Sequence, residues 1–253
     1  MAEDRMQLQR FELKYRIRQE AVALAVRDFV SMYLEVDEYG ATLPHFSYPV
    51  HSLYLDSPSL KLYWDTINGT KNRYKLRLRF YENRPEAPVY FEIKRRMNNI
   101  IAKQRGGVKR EAVPLLLAGQ LPEPGHLVSR DPKHLMALEN FCHLAQSIRA
   151  TPCTHIAYLR EAWLSSHDNS VRVTLDRQVR TEPVNSEELS TEMRAPHYVF
   201  GTDIVLELKF TNRFPNWFGD LVRHFGLQQC GAAKYVEGVT QLGEGQLSRR
   251  FAL

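Results

Sequence analysis

The chain contains a repeated triplet of glutamate, one apolar residue and lysine. It occurs as Glu12-Leu13-Lys14, as Glu92-Ile93-Lys94 and as Glu207-Leu208-Lys209. Each triplet lies in a longer alternation of charged and apolar residues, and a period of two predicts a strand with one charged face and one apolar face. Like charges that face one another on neighbouring strands repel. The density of cations on these strands therefore indicates that something anionic lies against the charged faces.

The alternation is compatible with two architectures. The first is an antiparallel sheet with its core on one side and water on the other. The second is a sheet curled into a barrel of roughly eight strands, which is wide enough to hold one small ligand. The strands outnumber those of a parallel βαβ protein, and several neighbours are joined by short turns, which favours the barrel. We therefore predict an α+β fold, a mostly antiparallel eight-stranded barrel with helices packed outside, in a single domain over residues 1–253 with its core at about 9–242.

The same periodicities, together with capping residues, predict the elements along the chain. The strands are predicted near 9–18, 48–56, 71–82, 87–97, 100–113, 153–165, 169–181 and 203–211. The helices are predicted near 19–36, 57–65, 131–149, 215–225 and 232–242. Residues 182–197 are polar and are predicted to form a loop.

The bulk composition narrows the class of protein. The formal net charge is +5 and the isoelectric point about 9.1, but no continuous block of like charges resembles a nucleic-acid-binding tail. Three scattered cysteines without a CxxC motif are typical of a reducing compartment. The first residues lack the apolar core of a signal peptide, and no apolar run approaches the roughly 20 residues that span a bilayer. These features predict a cytoplasmic protein.

Common catalytic signatures are missing from the sequence. It has no GxxxxGK[ST] phosphate loop and no GxGxxG fingerprint. It also has no HExxH zinc motif and no GxSxG nucleophile motif. Zinc chemistry and covalent hydrolysis therefore have no support.

The charged strand faces supply the candidate ligands. The cations predicted to face the barrel interior are Lys14, Arg77, Arg79, Lys94, Lys103, Arg105, Arg160, Arg172 and Lys209, and the carboxylates are Glu12, Glu92 and Glu207. Arginine and lysine bind phosphate oxygens, and a polyphosphate chain carries the charge to neutralise them. Carboxylates would repel phosphate unless a divalent cation such as Mg²⁺ or Mn²⁺ bridged the two. The alternative for each glutamate is an ion pair with a neighbouring arginine, and Arg73 and Lys75 are interpreted as a solvated strand end.

The motifs, taken in chain order, resemble those of the VTC domain. The matching segments are Arg10-Phe11-Glu12-Leu13-Lys14-Tyr15, Ser52-Leu53-Tyr54-Leu55-Asp56, Arg77-Leu78-Arg79, Glu92-Ile93-Lys94, Val171-Arg172-Val173-Thr174-Leu175-Asp176, Leu206-Glu207-Leu208-Lys209 and Lys234-Tyr235. The VTC domain is the catalytic domain of the vacuolar transporter chaperone polyphosphate polymerases. It belongs to the triphosphate tunnel metalloenzymes, alongside the CYTH proteins, and the resemblance covers residues from about 9 to 240.

The resemblance implies a tunnel of antiparallel strands that binds triphosphates or polyphosphate together with Mn²⁺ or Mg²⁺. Glu207 matches the metal-binding glutamate of the family, and Glu12 and Glu92 are further candidates for metal ligands. The residues assigned to catalysis are Arg77, Arg79, Lys94, Arg172 and Lys209. The residues assigned to phosphate binding are Lys14, Lys103, Arg105, Arg160 and Lys234, of which Lys103, Arg105 and Arg160 rest on shorter matching stretches.

The resemblance further implies a metal-dependent polyphosphate polymerase that uses the γ-phosphate of ATP or another nucleoside triphosphate. The first motif is ExK rather than the ExExK typical of CYTH triphosphatases and cyclases, which favours the VTC branch. One alternative is a triphosphatase that uses the same tunnel. A second is a non-catalytic polyphosphate-binding module that serves a separately encoded membrane protein. A third, a basic sheet that binds nucleic acid, is less compatible with the pattern of charge, and the oligomeric state is not predicted.

Overall fold

The computed structural model of the protein describes residues 10–98, 100–166, 170–211 and 213–248. Its strands are β1 (Arg10–Ile17), β2 (Glu35–Val36), β3 (Ser47–Asp56), β4 (Asn72–Phe80), β5 (Val89–Met97), β6 (Ile100–Val108), β7 (Thr151–Leu164), β8 (Val171–Pro183), β9 (His197–Tyr198) and β10 (Ile204–Thr211). Its helices are α1 (Glu20–Ser31), α2 (Glu38–Ala41), α3 (Lys61–Ile67), α4 (Val113–Leu117), α5 (Pro132–Ser147), α6 (Asn216–His224), α7 (Lys234–Leu242) and α8 (Glu244–Leu247). None of the helices in these ranges is both long enough and apolar enough to cross a bilayer.

The strands form a mostly antiparallel sheet. They are hydrogen-bonded in the order β1-β10-β8-β7-β3-β4-β5-β6, with β2 paired to β7 and β9 paired to β8. Every pair whose register is described is antiparallel. The predicted α+β class and antiparallel sheet are therefore confirmed. Among the described residues the order has two ends, β1 and β6, so hydrogen bonding does not close the strands into a complete ring.

Contacts between Cα atoms group the described residues into two compact units. The first lies within Met1–Pro49, Tyr158–Val179 and Phe200–Ala233, and the second within Val50–Ala157, Arg180–Val199 and Lys234–Leu253. The predicted single domain over 1–253 stays a prediction, and the two units are described separately below.

In the first unit, the apolar faces of β1, β10 and β8 are in register. Leu13 lies across from Leu208, which lies across from Val173. Helices α1 and α6 cover this face, and the buried helix residues of the core are Ala23, Val26, Val30, Phe218 and Leu221. Each large apolar side chain buried in this way contributes roughly 1.5–3 kcal/mol to folding. Since the helices cover the apolar face, the charged residues of the three strands lie on the opposite face.

In the second unit, β3, β4 and β5 align their apolar residues in the same way. Leu53 lies across from Leu78, and Leu78 across from Phe91. Helices α4 and α5 pack on this face, and their buried core residues are Val113, Leu116, Leu138, Phe141 and Cys142. The predicted packing of helices against the apolar strand faces is thus observed within each unit.

Two glycines in β6 permit close packing. A Cβ atom at Gly106 would lie 2.9 Å from the backbone oxygen of His134 in α5, and one at Gly107 would lie 2.7 Å from Cγ2 of Val128. Real Cβ atoms do not approach backbone atoms so closely, so glycine lets α5 lie directly on the strand. Gly107 is also covered by the ring of Tyr90, whose Cε1 would be 3.3 Å from such a Cβ.

The main differences from the predicted elements lie at element ends. The strand predicted over 100–113 ends at Val108, because Arg110–Ala112 forms a 3₁₀ turn that leads into α4. Pro114 lies in the first turn of α4, where its fixed φ suits a helix start. The helix predicted over 19–36 ends at Ser31, and Glu35–Val36 instead pairs with β7.

Candidate functional site

The charged face of the first unit carries a group of side chains that we call the mixed-charge cluster. Its members are Glu12, Lys14, Arg160, Asp176, Glu207 and Lys209. The register of β1 and β10 places Glu12 across from Lys209 and, one row further, Lys14 across from Glu207. Opposite charges thus face one another in two successive rows, which stabilises the strand pair.

Lys14 lies between the two glutamates of this cluster. Its Nζ is 3.1 Å from Oε1 of Glu12 and 3.4 Å from Oε1 of Glu207, and both carboxylates are less than 10% exposed. The ammonium also donates to the carbonyl oxygen of Ala232 at 3.1 Å. One cation therefore holds together two buried carboxylates that would otherwise repel each other.

Lys209 is the second ammonium beside Glu207. Its Nζ donates to Oε2 of Glu207 at 2.5 Å. Burial lowers the pKa of Lys209 to about 8, although the neighbouring charge of Glu207 opposes this shift. An anionic ligand next to Lys209 would favour the charged form and raise the pKa again.

Arg160 is held by a two-pronged contact with Asp176. Its Nε and Nη2 donate to the two carboxylate oxygens at 2.7 and 2.8 Å, and its Nη2 lies 3.8 Å from Oε2 of Glu207. Burial alone would lower the pKa of Arg160, but Asp176, Tyr158 and Glu207 together raise it well above the usual value. Asp176 has no predicted role, although the alternation in β8 places it on the same face as Thr174.

Arg172 on β8 is anchored by residues that sequence reasoning did not identify. Its Nη2 donates to Oδ2 of Asp37 at 3.0 Å and contacts the hydroxyl of Tyr48 at 3.4 Å. Asp37 is the N-cap of α2 and also accepts a hydrogen bond from the backbone N–H of Tyr39. Arg172 lies across from Lys209 in the sheet, and Lys209 is two residues from Glu207 on β10. The guanidinium of Arg172 therefore lies in the cross-strand row next to that of Glu207.

The second unit has four cations around one carboxylate, a group that we call the arginine cluster. Its members are Arg77, Arg79, Glu92, Lys103 and Arg105. Glu92 is 1% exposed, and its oxygens lie 2.7 Å from Arg77, 2.8 Å from Lys103, 3.4 Å from Arg105 and 4.0 Å from Arg79. The register explains this arrangement, because Glu92 lies directly between Arg77 on β4 and Arg105 on β6.

The charged groups of the arginine cluster change one another's pKa values. Burial disfavours the ionised form of Glu92, but Arg77, Arg79 and the other two cations overcome this and hold its pKa well below the usual range. Burial by the surrounding protein lowers the pKa of Lys103 to about 7, against the opposing charge of Glu92. The Lys103 side chain nevertheless remains 44% exposed.

Tyr54 and Lys234 lie beside the arginine cluster. Arg77 donates from Nη1 to the hydroxyl oxygen of Tyr54 at 3.1 Å. Burial raises the pKa of Tyr54, but Arg77, Arg79 and Lys234 together lower it below the usual value. Lys234 is 9% exposed and begins α7, where the helix macrodipole is also positive. Positive potential therefore accumulates at this end of α7.

Each charged face also carries one buried hydroxyl group. Ser52 is 1% exposed and lies across from Arg79, and Thr174 is fully buried and lies across from Glu207. Among the residues that the structure describes, neither hydroxyl has a hydrogen-bond partner. A buried polar group without a partner costs free energy, so a ligand oxygen or water at these positions would stabilise the site.

A comparison with protein families matches the VTC domain over residues 9–243. This chain belongs to the VTC domain family. The match covers nearly the whole sequence and confirms the resemblance seen in the motifs. Membership supports an enzyme of the triphosphate tunnel kind, which fits two strand faces rich in arginine and lysine.

Two solved structures that are similar to this VTC domain are distant from it in sequence. A "putative adenylate cyclase" from Bacillus halodurans is 12% identical to this chain, with a TM-score of 0.49. The match covers 89% of this chain and 94% of the cyclase chain. The Mediator head module of Schizosaccharomyces pombe is 8% identical, covers 94% of this chain and 93% of its own, and has a TM-score of 0.41. Neither likeness is strong enough to bear on function. The comparison with curated proteins found no match.

The donors of the mixed-charge cluster of this VTC domain fit a hard divalent cation. Glu12 and Glu207 offer carboxylate oxygens on either side of Lys14, and the hydroxyl of Thr174 lies in the row of Glu207. Within the described ranges, no group of three or more His, Cys, Asp or Glu side chains is arranged to hold a metal ion. Mg²⁺ is usually bound by one or two carboxylates, and substrate phosphates and water complete its coordination shell. Glu92, with four cations around it, fits an ion-pair role better than that of a metal ligand.

The structure divides the predicted site residues of the VTC domain between the two faces. The first unit holds Glu12, Lys14, Arg160, Arg172, Glu207 and Lys209, and the second holds Arg77, Arg79, Glu92, Lys94, Lys103, Arg105 and Lys234. Lys94 lies across from Lys103, in the row next to Glu92. The roles assigned to these residues stay predictions, as do the identity of the metal and of the nucleotide.

Proposed function

We propose that this VTC domain is a polyphosphate polymerase that extends linear inorganic polyphosphate with the γ-phosphoryl group of ATP. The observation that supports this most directly is the arginine cluster, where four cations surround one carboxylate on a sheet face of a VTC-family protein. Such an excess of positive charge needs a ligand with several negative charges in a row. A triphosphate and a polyphosphate chain both have this form.

The arginine cluster would bind the triphosphate. Guanidinium groups pair with two phosphate oxygens at once, and Arg77 is held in place by Glu92 and Tyr54 before a ligand arrives. A ligand positioned by such fixed groups loses little further entropy on the way to the transition state. Because Arg77 is already oriented, we assign it to holding the oxygens of the transferring phosphoryl group, with Arg79 beside it.

The mixed-charge cluster would hold the metal and bind phosphate oxygens. Glu207, with Glu12 beside it, would bind Mn²⁺ or Mg²⁺, which when bound neutralises charge on phosphate oxygens. Arg160 remains charged at all ordinary pH values and is fixed by Asp176, so it can bind a phosphate oxygen without reorganising. Lys209 supplies a second cation whose charged form an anion would stabilise.

In the proposed reaction, an oxygen of the terminal phosphate of the chain attacks the γ-phosphorus of ATP. A new P–O bond joins the phosphoryl group to the chain, the bond from the γ-phosphorus to the β–γ bridging oxygen breaks, and ADP leaves with that electron pair. The nucleophile is itself an anion, so two polyanions must come together. Cations that neutralise both of them lower this barrier, whereas attack by neutral water would not need so many.

The second candidate is a triphosphatase, in which water attacks the terminal phosphorus. The two carboxylates of the mixed-charge cluster favour a triphosphatase, because Glu12 and Glu207 could orient a water molecule as well as a metal ion. It differs from the polymerase in its product, which is free phosphate rather than a longer chain.

The experiment is incubation of the purified chain with ATP and Mn²⁺, followed by a polyphosphate gel, ADP quantification and a free-phosphate assay. Glu207→Ala is the test variant. Glu35→Ala is the matched control, because Glu35 is exposed on the short strand β2. A ladder with equivalent ADP from the wild type and the control, and none from Glu207→Ala, is expected. Free phosphate without a ladder would establish the hydrolase, and turnover that survives in both variants would refute the assignment of Glu207.

A further inference from the structure

Asp56 is a buried carboxylate that the proposed reaction does not use. It ends β3 and accepts hydrogen bonds from the backbone N–H groups of Ser57, Leu62 and Tyr63 at 2.7, 2.9 and 3.0 Å. Leu62 and Tyr63 lie in the first turn of α3, where backbone N–H groups have no partner within the helix. Asp56 therefore joins the end of β3 to the start of α3 through bonds to the backbone.

The fourth donor to Asp56 is the hydroxyl group of Tyr235, the second residue of α7. This hydroxyl lies 2.5 Å from Oδ2 of Asp56, and the whole tyrosine is buried. Burial and, second, the charge of Asp56 raise the pKa of Tyr235 well above its usual value, so the phenol keeps its proton and donates it to the bond. Because Asp56 is itself fixed by three backbone groups, its bond to the hydroxyl fixes the tip of the tyrosine ring.

The ring of Tyr235 stacks on the ring of Tyr54. The two ring centroids are 4.9 Å apart, and the planes are within 17° of parallel, a favourable geometry for an aromatic pair. Tyr54 in turn accepts a hydrogen bond from Nη1 of Arg77 at 3.1 Å, while Nε of Arg77 donates to Glu92 at 2.7 Å. The guanidinium of Arg77 is thus held between a carboxylate and a phenol that packs on Tyr235.

These contacts fix the direction of the Arg77 guanidinium as well as its charge. A phenylalanine at position 235 would provide the same stacked ring, so the hydroxyl group of Tyr235 adds a restraint on position rather than apolar burial. Direction matters in group transfer, since a misplacement of about 1 Å can reduce the rate about 100-fold. The chain of contacts from Asp56 to Arg77 therefore connects a capped helix to the geometry of the arginine cluster.

We propose that Tyr235 is a positioning residue for phosphoryl transfer, whose hydroxyl bond to Asp56 fixes the ring that orients Arg77 through Tyr54. The inference rests on the proposed function and deepens it, because it assigns a role to a side chain that binds no phosphate. The charge of Arg77 attracts a polyanion in any orientation of the guanidinium, whereas transfer requires one orientation. Loss of the Tyr235 hydroxyl therefore lowers turnover much more than it lowers ground-state binding.

The test uses two substitutions of Tyr235 in the full chain. Tyr235→Phe keeps the stacked ring and removes the bond to Asp56, whereas Tyr235→Leu removes the ring as well. Tyr63→Phe is the matched control, because the hydroxyl of Tyr63 also connects α3 to α7 and α8, through Thr240 at 3.1 Å and Glu244 at 2.7 Å. Urea unfolding of each variant measures how much stability the lost hydroxyl group contributes.

Turnover and binding are then compared in the same variants. Initial rates of ADP release are measured with ATP and Mn²⁺, and tripolyphosphate binding is measured by calorimetry in EDTA. In Tyr235→Phe we expect kcat to fall about fivefold, and in Tyr235→Leu about thirtyfold, while KM and tripolyphosphate affinity stay within about twofold of the wild type. Tyr63→Phe should keep the kcat of the wild type.

Two further measurements test whether Tyr235 acts through Tyr54. The double variant of Tyr54→Phe with Tyr235→Phe should be no slower than Tyr54→Phe alone, because residues in one chain of contacts are not additive. The second measurement needs no turnover. Fluorine NMR of protein labelled with 3-fluorotyrosine reports the pKa of Tyr54, which should rise by about one unit in Tyr235→Phe as Arg77 moves away, and should not change in Tyr63→Phe.

The other outcomes separate this inference from the proposed function. If the Tyr235 variants lose stability but keep kcat and the pKa of Tyr54, Tyr235 is purely structural and the inference is overturned while the polymerase stands. Equal losses of kcat and of tripolyphosphate affinity would assign Tyr235 to binding and overturn it as well. If the wild type releases neither ADP nor phosphate, the proposed function fails, and the pKa of Tyr54 alone decides whether Tyr235 orients Arg77.

Discussion

Lys14 lies directly across from Glu207 on the neighbouring strand, and its ammonium is 3.4 Å from the Glu207 carboxylate. The same ammonium is 3.1 Å from Glu12. Lys14 thus lies between the two oxygen donors that would bind a divalent cation. It compensates their charge in the metal-free protein and repels a metal ion that approaches them.

Replacement of Lys14 by methionine should therefore tighten metal binding in the absence of substrate. A unit charge about 4 Å away contributes ~4 kcal/mol at an effective dielectric constant of 20, so an increase in Mn²⁺ affinity of at least about tenfold is expected. Titration of free Mn²⁺ by its paramagnetic resonance signal measures this. Lys61→Met is the control, since Lys61 is half exposed and pairs with Asp65. Weaker or unchanged Mn²⁺ binding in Lys14→Met would place the metal elsewhere.

Glu92 should behave as an anchor for cations rather than as a metal ligand. Glu92→Gln removes the charge that compensates four cations but keeps the shape of the side chain, so tripolyphosphate should bind more tightly, by about tenfold. The Mn²⁺ concentration that gives half-maximal turnover should not change. Calorimetry of tripolyphosphate binding and a metal titration of activity check the two parts. A large increase in the required Mn²⁺ would instead support the predicted metal role of Glu92.

Binding of a triphosphate should take up protons near pH 8. The pKa of Lys103 is about 7 and that of Lys209 about 8 in the free protein, so both are partly neutral at this pH. An anion bound beside either lysine raises the pKa of that lysine, so up to about one proton per bound ligand is expected at pH 8, with affinity falling as pH rises above 7. Calorimetry in buffers of different ionisation enthalpy measures the uptake.

The control for proton uptake is the pair of variants Lys103→Arg and Lys209→Arg. Arginine keeps its proton throughout this range, so the uptake should fall in the variant whose lysine contacts the ligand and disappear in the double variant. The same uptake in the double variant would assign the protons to other groups. The absence of uptake in the wild type would mean that neither lysine contacts the ligand.

The buried pair of His51 and His155 should make folding weaker in mild acid. Nδ1 of His51 lies 3.0 Å from Nε2 of His155, and burial, aided by the charge of Arg180, lowers the pKa of each to about 4. The unfolded chain protonates histidine near pH 6.5, so it binds more protons than the folded chain between pH 6.5 and 4. The free energy of unfolding should therefore fall as pH decreases through this window, by roughly 3 kcal/mol for the two histidines together between pH 6.5 and 5.

Urea unfolding at several pH values checks the histidine prediction. The double variant His51→Gln with His155→Gln has no group that titrates there, so its profile should be flatter than that of the wild type above pH 5. An equally steep profile in the variant would show that carboxylates, not these histidines, cause the loss of stability. Phe80 stacks on both imidazoles. It is not altered in the variant, so the aromatic ring that packs against positions 51 and 155 is the same in both proteins.

The sequence predicts an element best where one face of that element is apolar. The alternation around Leu13, Leu78 and Leu208 predicts which side chains are buried, because a period of two allows only one face to join the core. The sequence predicts α4 least well, because the preceding strand was predicted to reach residue 113 and no helix was predicted over Val113–Leu117. A short apolar segment is compatible with either a strand or a helix, and only its packing against the sheet decides between them.

The amino-acid sequence by itself determined the charged and apolar faces of the strands, and with them the set of cations and carboxylates from which a phosphate site can be built. The tertiary structure alone decided how these charges are paired. Glu92 is surrounded by four cations, whereas Glu207 lies across from Lys14, although each glutamate begins its own copy of the ExK triplet. The physical reason is strand register, because a shift of two residues would keep every side chain on its face but give each carboxylate a different neighbour. Asp37 pairs with Arg172, and Asp176 pairs with Arg160. These partners are distant in sequence, so they too depend on which segments of the chain the fold brings side by side.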